Sequence, residues 1–425
     1  MARGLYDDRR MKRELLVLAL LAACGGSDGV DIPEVRSDLA RDLTPAVTPA
    51  ELTELVDGNT AFATDLYQRV RGEPGNLFMS PHSISTALAM TYAGAAGDTA
   101  TQMAQALHFT LPEPQLHAAF DALDLALASR ATQAHGDTIP FRLTTANALF
   151  GQDGWPFVPA FLDTLAQFYG AGVRVLDFEA DPEAARTTIN DWVEDRTNDR
   201  IQDLLPPGSI TANTRLVLAN AIYFSAAWST PFEASQTADR PFHLASGATV
   251  DVPTLHANGE YAYGEGPGFR AAELTYDGEQ LSMIVIVPDE LAAFEAAFDA
   301  DALAGVIGSL TPHEVDLSLP KFRFDAPLGL KDHLIALGMR DAFDDGADFS
   351  RIDGARDLVI QDVLHKGFVA IDERGTEAAA ATAVIIGDTS VPEHATLAVD
   401  RPFLFAIRDR PTGAVLFLGR VVDPR

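Results

Sequence analysis

Glu373-Arg374-Gly375-Thr376-Glu377 leads into Ala378-Ala379-Ala380-Ala381-Thr382-Ala383-Val384-Ile385-Ile386, and Gly387-Asp388-Thr389-Ser390-Val391-Pro392 closes the stretch. From Ala378 to Ile386 every residue is small or β-branched, without charge, Gly or Pro. Polar turn-formers flank this run on both sides, as they flank an exposed loop. At period two, positions 376, 378, 380, 382 and 384 carry Thr, Ala, Ala, Thr and Val. A strand with that face needs no large pocket anywhere, so it could slide between existing strands. Four alanines in a row equally favour helix. The local sequence leaves strand and helix open.

The segments around it decide the matter. Asn76-Leu77-Phe78-Met79-Ser80-Pro81-His82-Ser83-Ile84-Ser85 has the form of a strand entering a helix. Thr145-Ala146-Asn147-Ala148-Leu149-Phe150 and Leu218-Ala219-Asn220-Ala221-Ile222-Tyr223-Phe224 are strand-like, the second followed by Trp228 and Pro231-Phe232. Asn190-Asp191-Trp192-Val193, with Thr197 and Ile201, is helical in character. Further on come Leu319-Pro320-Lys321-Phe322, Leu337-Gly338-Met339-Arg340-Asp341-Ala342-Phe343, Ala347-Asp348-Phe349-Ser350 and Val399-Asp400-Arg401-Pro402-Phe403-Leu404-Phe405. In this order, over roughly residues 50 to 425, the set resembles the serpins. One position departs from that pattern: Ala398 stands where the family's signature usually has Gly.

The resemblance implies an α+β fold with a large central β-sheet, two further sheets, about nine helices and an exposed reactive-centre loop. Glu373, Gly375, Thr376, Glu377, Ala378, Ala379, Ala380, Ala381 and Thr382 fall at the family's hinge, and Thr376 with the alanines is the inhibitory form of it. Ser80, Ser83, Asn220 and His365 fall at the shutter beneath the sheet, and Trp228 falls where the loop begins to insert. The implied function is inhibition of a serine endopeptidase as a suicide substrate. The loop is cleaved, inserts, and leaves the protease trapped as an acyl-enzyme. Counting from Gly375 places the reactive bond at Thr389–Ser390; counting back from Pro402 moves it about two residues later. Val384, Ile385 and Ile386 suit an elastase-like target, whereas Asp388 as the specificity residue would suit an Asp-specific protease. No Lys or Arg lies between Gly375 and Thr396, which disfavours trypsin-like targets. A cysteine protease is a second option as partner. A non-inhibitory serpin-fold binding or chaperone lipoprotein is the alternative function.

Read without the resemblance, the residues offer no enzyme. There is no Gly-x-Ser-x-Gly elbow, His-Glu-x-x-His helix, Gly-x-Gly-x-x-Gly fingerprint or Walker loop, so no cofactor or metal is expected. Ser80 or Ser83 with His365 could suggest a nucleophile and base, but Ser80 precedes Pro81 at a helix start, where capping is the commoner role. Trp228 reads equally well as a core aromatic. The formal net charge of −30 disfavours nucleic acid and anionic membrane surfaces. Arg130 is the only Arg or Lys between residues 101 and 140, so no heparin-type basic helix is expected there.

The N-terminus reads as an export signal. Arg9, Arg10, Lys12 and Arg13 precede the apolar run Leu15 to Ala23, too short to span a bilayer. Leu21-Ala22-Ala23-Cys24-Gly25-Gly26 resembles a bacterial lipoprotein box, with Cys24 lipidated as the first mature residue and the membrane reached only through it. An ordinary signal peptide with an incidental cysteine is the other reading, which would leave the chain secreted or periplasmic. The absence of Asp after Cys24 points to the outer membrane or cell surface. Translation could start at Met1 or Met11. Cys24 is the only cysteine, which excludes an intramolecular disulfide. The chain thus divides into a signal (1–23), a flexible tether (24–47) and one domain (48–425), expected to be a monomer.

Within the domain, Thr48-Pro49-Ala50-Glu51 forms a capping box ahead of a helix running to about Val70. Further helices are predicted over 81–94, 98–107, 114–130, 158–168, 182–199 and 328–338. Strands are predicted over 144–150, 215–225, 281–287, 314–324, 358–371, 402–408 and 414–421.

Overall fold

The computed structural model describes residues 32–130, 142–376 and 393–425. Cys24, the hinge residues Glu377 to Thr382, Asp388 and the Thr389–Ser390 bond lie outside the described residues.

The capping box forms as the sequence predicts. Glu51 N–H donates to Thr48 Oγ1 at 3.3 Å, and Thr48 N–H donates to the Glu51 carboxylate at 2.7 Å. Behind it run α1 (Pro49–Val70), α2 (Pro81–Tyr92), α3 (Gly97–Ala106), α4 (Glu113–Ser129) and α5 (Pro159–Tyr169). Then follow α6 (Pro182–Arg196), α7 (Leu291–Ala296), α8 (Ala300–Ser309), α9 (Lys331–Ala336) and α10 (Ser350–Asp353). Ser80 caps α2 by accepting from Ser83 N–H at 3.2 Å.

The main sheet has seven strands. Its order is β1 (Glu34–Val35), β4 (Val173–Leu176), β3 (Arg142–Gln152), β5 (Leu216–Ala227), β13 (Gly375–Thr376), β12 (Leu364–Asp372) and β11 (Phe322–Gly329). A nine-stranded sheet carries β14 (His394–Ala398), β10 (Thr311–Pro320), β7 (Thr249–Gly266), β8 (Phe269–Thr275) and β9 (Leu281–Pro288). It continues through β15 (Phe403–Asp409), β16 (Val415–Val421) and β2 (Leu77–Met79), with β6 (Ala238–His243) paired to β7. The long β7 joins the two expected smaller sheets into one hydrogen-bonded path, pairing with β6 and β10 along its length and with β8 at its end.

The centre of the main sheet is buried on both faces, which is why β5 reads as a continuous apolar run, whereas edge strand β11 has an exposed face. Ile222, Phe224 and Ala226 of β5 face the larger core with α2, while Ala219, Ala221 and Tyr223 face a second core under α6.

Several element boundaries differ from the sequence prediction. Pro320-Lys321 splits the predicted strand 314–324 into β10 and β11. β12 begins only at Leu364, and the helix over 328–338 is confined to α9 because β11 runs to Gly329. Ala398 leaves β14 intact: it pairs with Ser318.

The tether is the larger correction. From Ile32 onward the segment is docked on the domain. Ile32 is buried in the α6-side core, β1 extends the sheet edge at β4, and Arg41 reaches the carboxylates of Asp121 and Asp124 on α4. Gly, Asp and Pro suggested a solvated linker, but Ile32, Val35 and Arg41 supply the contacts that hold it.

Candidate functional site

The seam between β5 and β12 is the feature on which the sequence-predicted residues converge. β5 and β12 pair in parallel from Ala219–Leu364 to Tyr223–Phe368, whereas β3–β5 and β11–β12 are antiparallel. A parallel pair between two antiparallel ones is the place where one more antiparallel strand fits without reversing any neighbour. Antiparallel pairing is also slightly the more stable kind.

At its upper end that seam is already parted. β13 lies between the two strands and is antiparallel to both: Thr376 pairs with Ala226 and Ile371, Gly375 with Ala227 and Asp372. Gly375 must be glycine there, because a Cβ would meet the Ala226 carbonyl oxygen at 2.1 Å. Thr376 is only 1% exposed, and its hydroxyl bonds the Tyr276 hydroxyl at 2.7 Å. Burial holds the Tyr276 phenol well above its ordinary range. Gly375 and Thr376, expected at the hinge, are thus strand residues of the main sheet.

The residues above β13 hold the backbone that leads into it. Trp228 stacks on Tyr276 with ring centroids 4.6 Å apart and a 12° interplanar angle. Its Nε1–H donates to Asp372 O at 3.1 Å, and its backbone N–H donates to Arg374 O at 2.7 Å. Trp228 is thus a core aromatic whose two N–H groups also hold the backbone of Asp372 and Arg374. Phe232 N–H donates to Glu373 O at 2.6 Å. The Glu373 carboxylate accepts from Lys321 Nζ at 2.8 Å and from Thr237 Oγ1 at 2.9 Å. Burial works to raise the Glu373 pKa, but the hydrogen bonds from Lys321 and Thr237 outweigh it and leave it lowered.

Lower down, Ser80, Ser83, Asn220 and His365 meet beneath the seam. Asn220 Nδ2 donates to Ser83 Oγ at 2.9 Å, and Asn220 Oδ1 lies 2.5 Å from His365 Nδ1. His365 Nε2 accepts from the Ser80 backbone N–H at 3.1 Å, which makes Nδ1 the protonated nitrogen and the donor to Asn220. Ser80 Oγ donates to Leu416 O at 2.7 Å. His365 is 1% exposed, and burial drives its pKa down to about 3. The nucleophile reading fails on this geometry. The Ser80 hydroxyl is directed to a carbonyl, and His365 accepts from the backbone amide.

Three site residues were not singled out from sequence. Asn147 joins the cluster, accepting from Ser83 Oγ at 3.0 Å and from Asn220 Nδ2 at 2.7 Å. A lone Asn between Ala146 and Ala148 in a buried strand was the available signal. Lys321 follows the strand-ending Leu319-Pro320. Tyr276 carries no local signal, since its role depends on where the β8–β9 hairpin lies.

The comparisons with known proteins agree with this geometry. Residues 57–424 match the family model described as Serpin (serine protease inhibitor). A serpin-like protein of Thermococcus kodakarensis is 39% identical, over 87% of this chain and 86% of its own. The leukocyte elastase inhibitor of Bos taurus is 37% identical, over 88% of this chain and 100% of its own. Among solved structures, Serpin48 of Tenebrio molitor has a TM-score of 0.77 at 30% identity, covering 88% of this chain and 98% of its own. Uncleaved ovalbumin has a TM-score of 0.76 at 27% identity, covering 87% and 100% respectively. The match over residues 57–424 and relatives 37–39% identical over nearly nine-tenths of the chain make it a member of the serpin family, the serine protease inhibitors, and the parallel seam parted by Gly375 and Thr376 fits that membership.

Proposed function

We propose that this serpin inhibits a serine protease as a suicide substrate, and that insertion of the cleaved loop between β5 and β12 traps the enzyme. The observation that carries the reading is Thr376, already paired to both strands and buried against Tyr276. The protease nucleophile attacks the Thr389 carbonyl, the bond to Ser390 breaks, and the amine of Ser390 leaves with a proton, giving an ester to Thr389. The residues after Thr376 then continue β13 down the seam.

The register of that strand follows from the two residues in place. Thr376 sits opposite Ala226 and Ile371, so each step of two down the loop moves two residues back along β5 and along β12. Ala378 comes level with Phe224 and Val369, Ala380 with Ile222 and Gly367, and Thr382 with Asn220 and His365. The small face of the loop thus falls where the larger core leaves least room. Inserting about ten residues at roughly 1 kcal/mol net per ladder hydrogen bond releases on the order of 10 kcal/mol. Dragging the tethered protease so that its oxyanion donors are displaced would slow deacylation by about 10²–10³ per donor lost. In this reading the chain catalyses nothing; it releases stored free energy once.

An elastase-like target is supported by Val384, Ile385 and Ile386 and by the similarity to leukocyte elastase inhibitors of Bos taurus and Homo sapiens. Export with lipidation at Cys24 is part of the same proposal, and a Cys24→Ser chain that still partitions to membranes would remove it. Cleaving the loop and remeasuring thermal unfolding tests the insertion step. An upward shift of the midpoint on the order of 10 °C or more is expected. An unchanged midpoint would instead favour the non-inhibitory binding or chaperone reading.

A further inference from the structure

The main sheet is parted at one end and paired at the other, so something must keep the remaining seam shut until cleavage. The shutter lies at the seam itself. A second restraint lies at the sheet's outer edge, in a segment that precedes the family model's span of residues 57–424. We infer that residues 32–47 form a clasp that ties the β3–β4–β5 half of the sheet to the helices behind it and so resists opening. This rests on the reading that the sheet opens to take a strand.

The clasp has two ends on two different bodies. Its first end belongs to the sheet. Ile32 is buried in the core shared with β3, β5 and α6; Val175 N–H donates to Pro33 O at 2.8 Å; Glu34 and Val35 pair with Arg174 and Val173. Its second end belongs to the helix layer. Ser37 Oγ donates to the Asp163 carboxylate on α5 at 2.5 Å, and Asp42 N–H donates to Gln167 O at 2.8 Å. Arg41 Nε donates to Asp121 Oδ1 at 2.7 Å, and its Nη2 donates to Asp124 Oδ2 at 2.5 Å. Leu116 and Phe120 of α4 belong to the other core, with α1 and α2. The arm therefore bridges the surface along which sheet and helices would have to slide.

The latch is Arg41. The Asp121 side chain is fully buried, and among the described residues its hydrogen-bond partner is Arg41. Burial pushes the Asp121 carboxyl up to about 6 even with the guanidinium beside it. Between the arm, β3 and α6 lies a cavity of about 390 Å³ bounded by Arg36, Arg41, Asn147 and Trp192. At that cavity sheet and helix layer do not pack directly on one another; Gly170-Ala171-Gly172 joins α5 to β4 and Leu149 and Val173 share the larger core with α4 and α5, and the arm adds a polar link from the sheet edge to α4. Opening the seam by one strand displaces one half of the sheet by about 4.8 Å relative to the other. A hydrogen bond spans at most about 3.5 Å, so a slide of β3, β4 and β5 over α4 by that distance would break either the Arg41 bonds to Asp121 and Asp124 or the β1–β4 pairing.

The test is native-state hydrogen exchange on the full chain and on Arg41→Met and Asp121→Asn variants, with Ile32→Ser as an independent release of the other end. Amides of Ala219–Tyr223 and Leu364–Phe368 should exchange at least about tenfold faster in each variant, since charge-assisted bonds are lost in the Arg41 and Asp121 variants and a buried apolar anchor in Ile32→Ser. The double variant Arg41→Met/Asp121→Asn should add little to either single one. Faster exchange at Asp42 and β1 with unchanged exchange across the seam would overturn the clasp, and so would no change at either place. Trapping of protease by the parent chain is scored separately, so failure of the clasp and failure of the inhibitor reading are distinguishable.

Discussion

Thr382→Val isolates the step in which the loop replaces the shutter. Asn220 and His365 are direct partners across the seam, with Nδ1 and Oδ1 2.5 Å apart, and are 0% and 1% exposed. A strand between β5 and β12 moves their backbones from one strand spacing to two, from about 4.8 to about 9.6 Å, and breaks that bond. The register places Thr382 level with both. Its hydroxyl can accept from His365 Nδ1–H and donate to Asn220 Oδ1. Valine has the same shape without the hydroxyl, so insertion would then bury two unpaired polar groups at about 1–3 kcal/mol each. The cleaved variant should be less stable than the cleaved parent by about 2–6 kcal/mol, whereas the uncleaved forms should match. Denaturant unfolding of all four samples reads this directly. Equal stability of the two cleaved forms, or an equal loss in both states, would refute the register and the role given to Thr382.

Other outcomes follow from the same geometry. Thr376→Arg places a guanidinium where a buried hydroxyl meets Tyr276, so the hinge should leave the sheet and the inhibitor become a substrate. An unchanged stoichiometry of trapping on a denaturing gel would contradict this. His365 is neutral in the folded state with its pKa lowered from 6.5 to about 3 by burial, so its contribution is present above pH 6.5 and lost as pH falls towards 3. That loss amounts to at most on the order of 5 kcal/mol. Asp121, raised to about 6, works in the opposite sense. Comparing the acid limb of unfolding in the parent and in His365→Asn isolates the share of His365: the variant should lose part of the dependence, the rest lying with His117 and His82, whose pKa values burial also lowers, and an identical limb would show that His365 does not contribute. Trp228→Phe removes the indole that bonds Asp372 O, so a change in intrinsic fluorescence on loop cleavage should largely vanish in that variant. Persistence of the full change would place the reporting tryptophan at Trp155 or Trp192.

The fold was legible where one residue type serves one period. β5 and β3 read as buried strands because both of their faces are apolar, and α1 read as a helix because Thr48 and Glu51 close its box. The β7–β8 hairpin was not legible. Its polar and apolar residues follow no single period, since different stretches of β7 pair with β6, β10 and β8. The arm was misread for a related reason. Short segments that borrow a core supply too few apolar positions to show a pattern. At the site, Ser80, Ser83 and Asn220 lie in ordered motifs and the structure brings them together with His365, but nothing in the sequence pointed to Tyr276. Its partner Thr376 is 100 positions away. Contact at that distance is set by tertiary packing, which local sequence does not encode.

The most direct test is to incubate the chain with an elastase-like serine protease and weigh the products after denaturation. The account predicts a covalent adduct of protease and cleaved inhibitor, together with a released C-terminal peptide beginning at or within about two residues of Ser390. Two clean inhibitor fragments beside unmodified, active protease would contradict it.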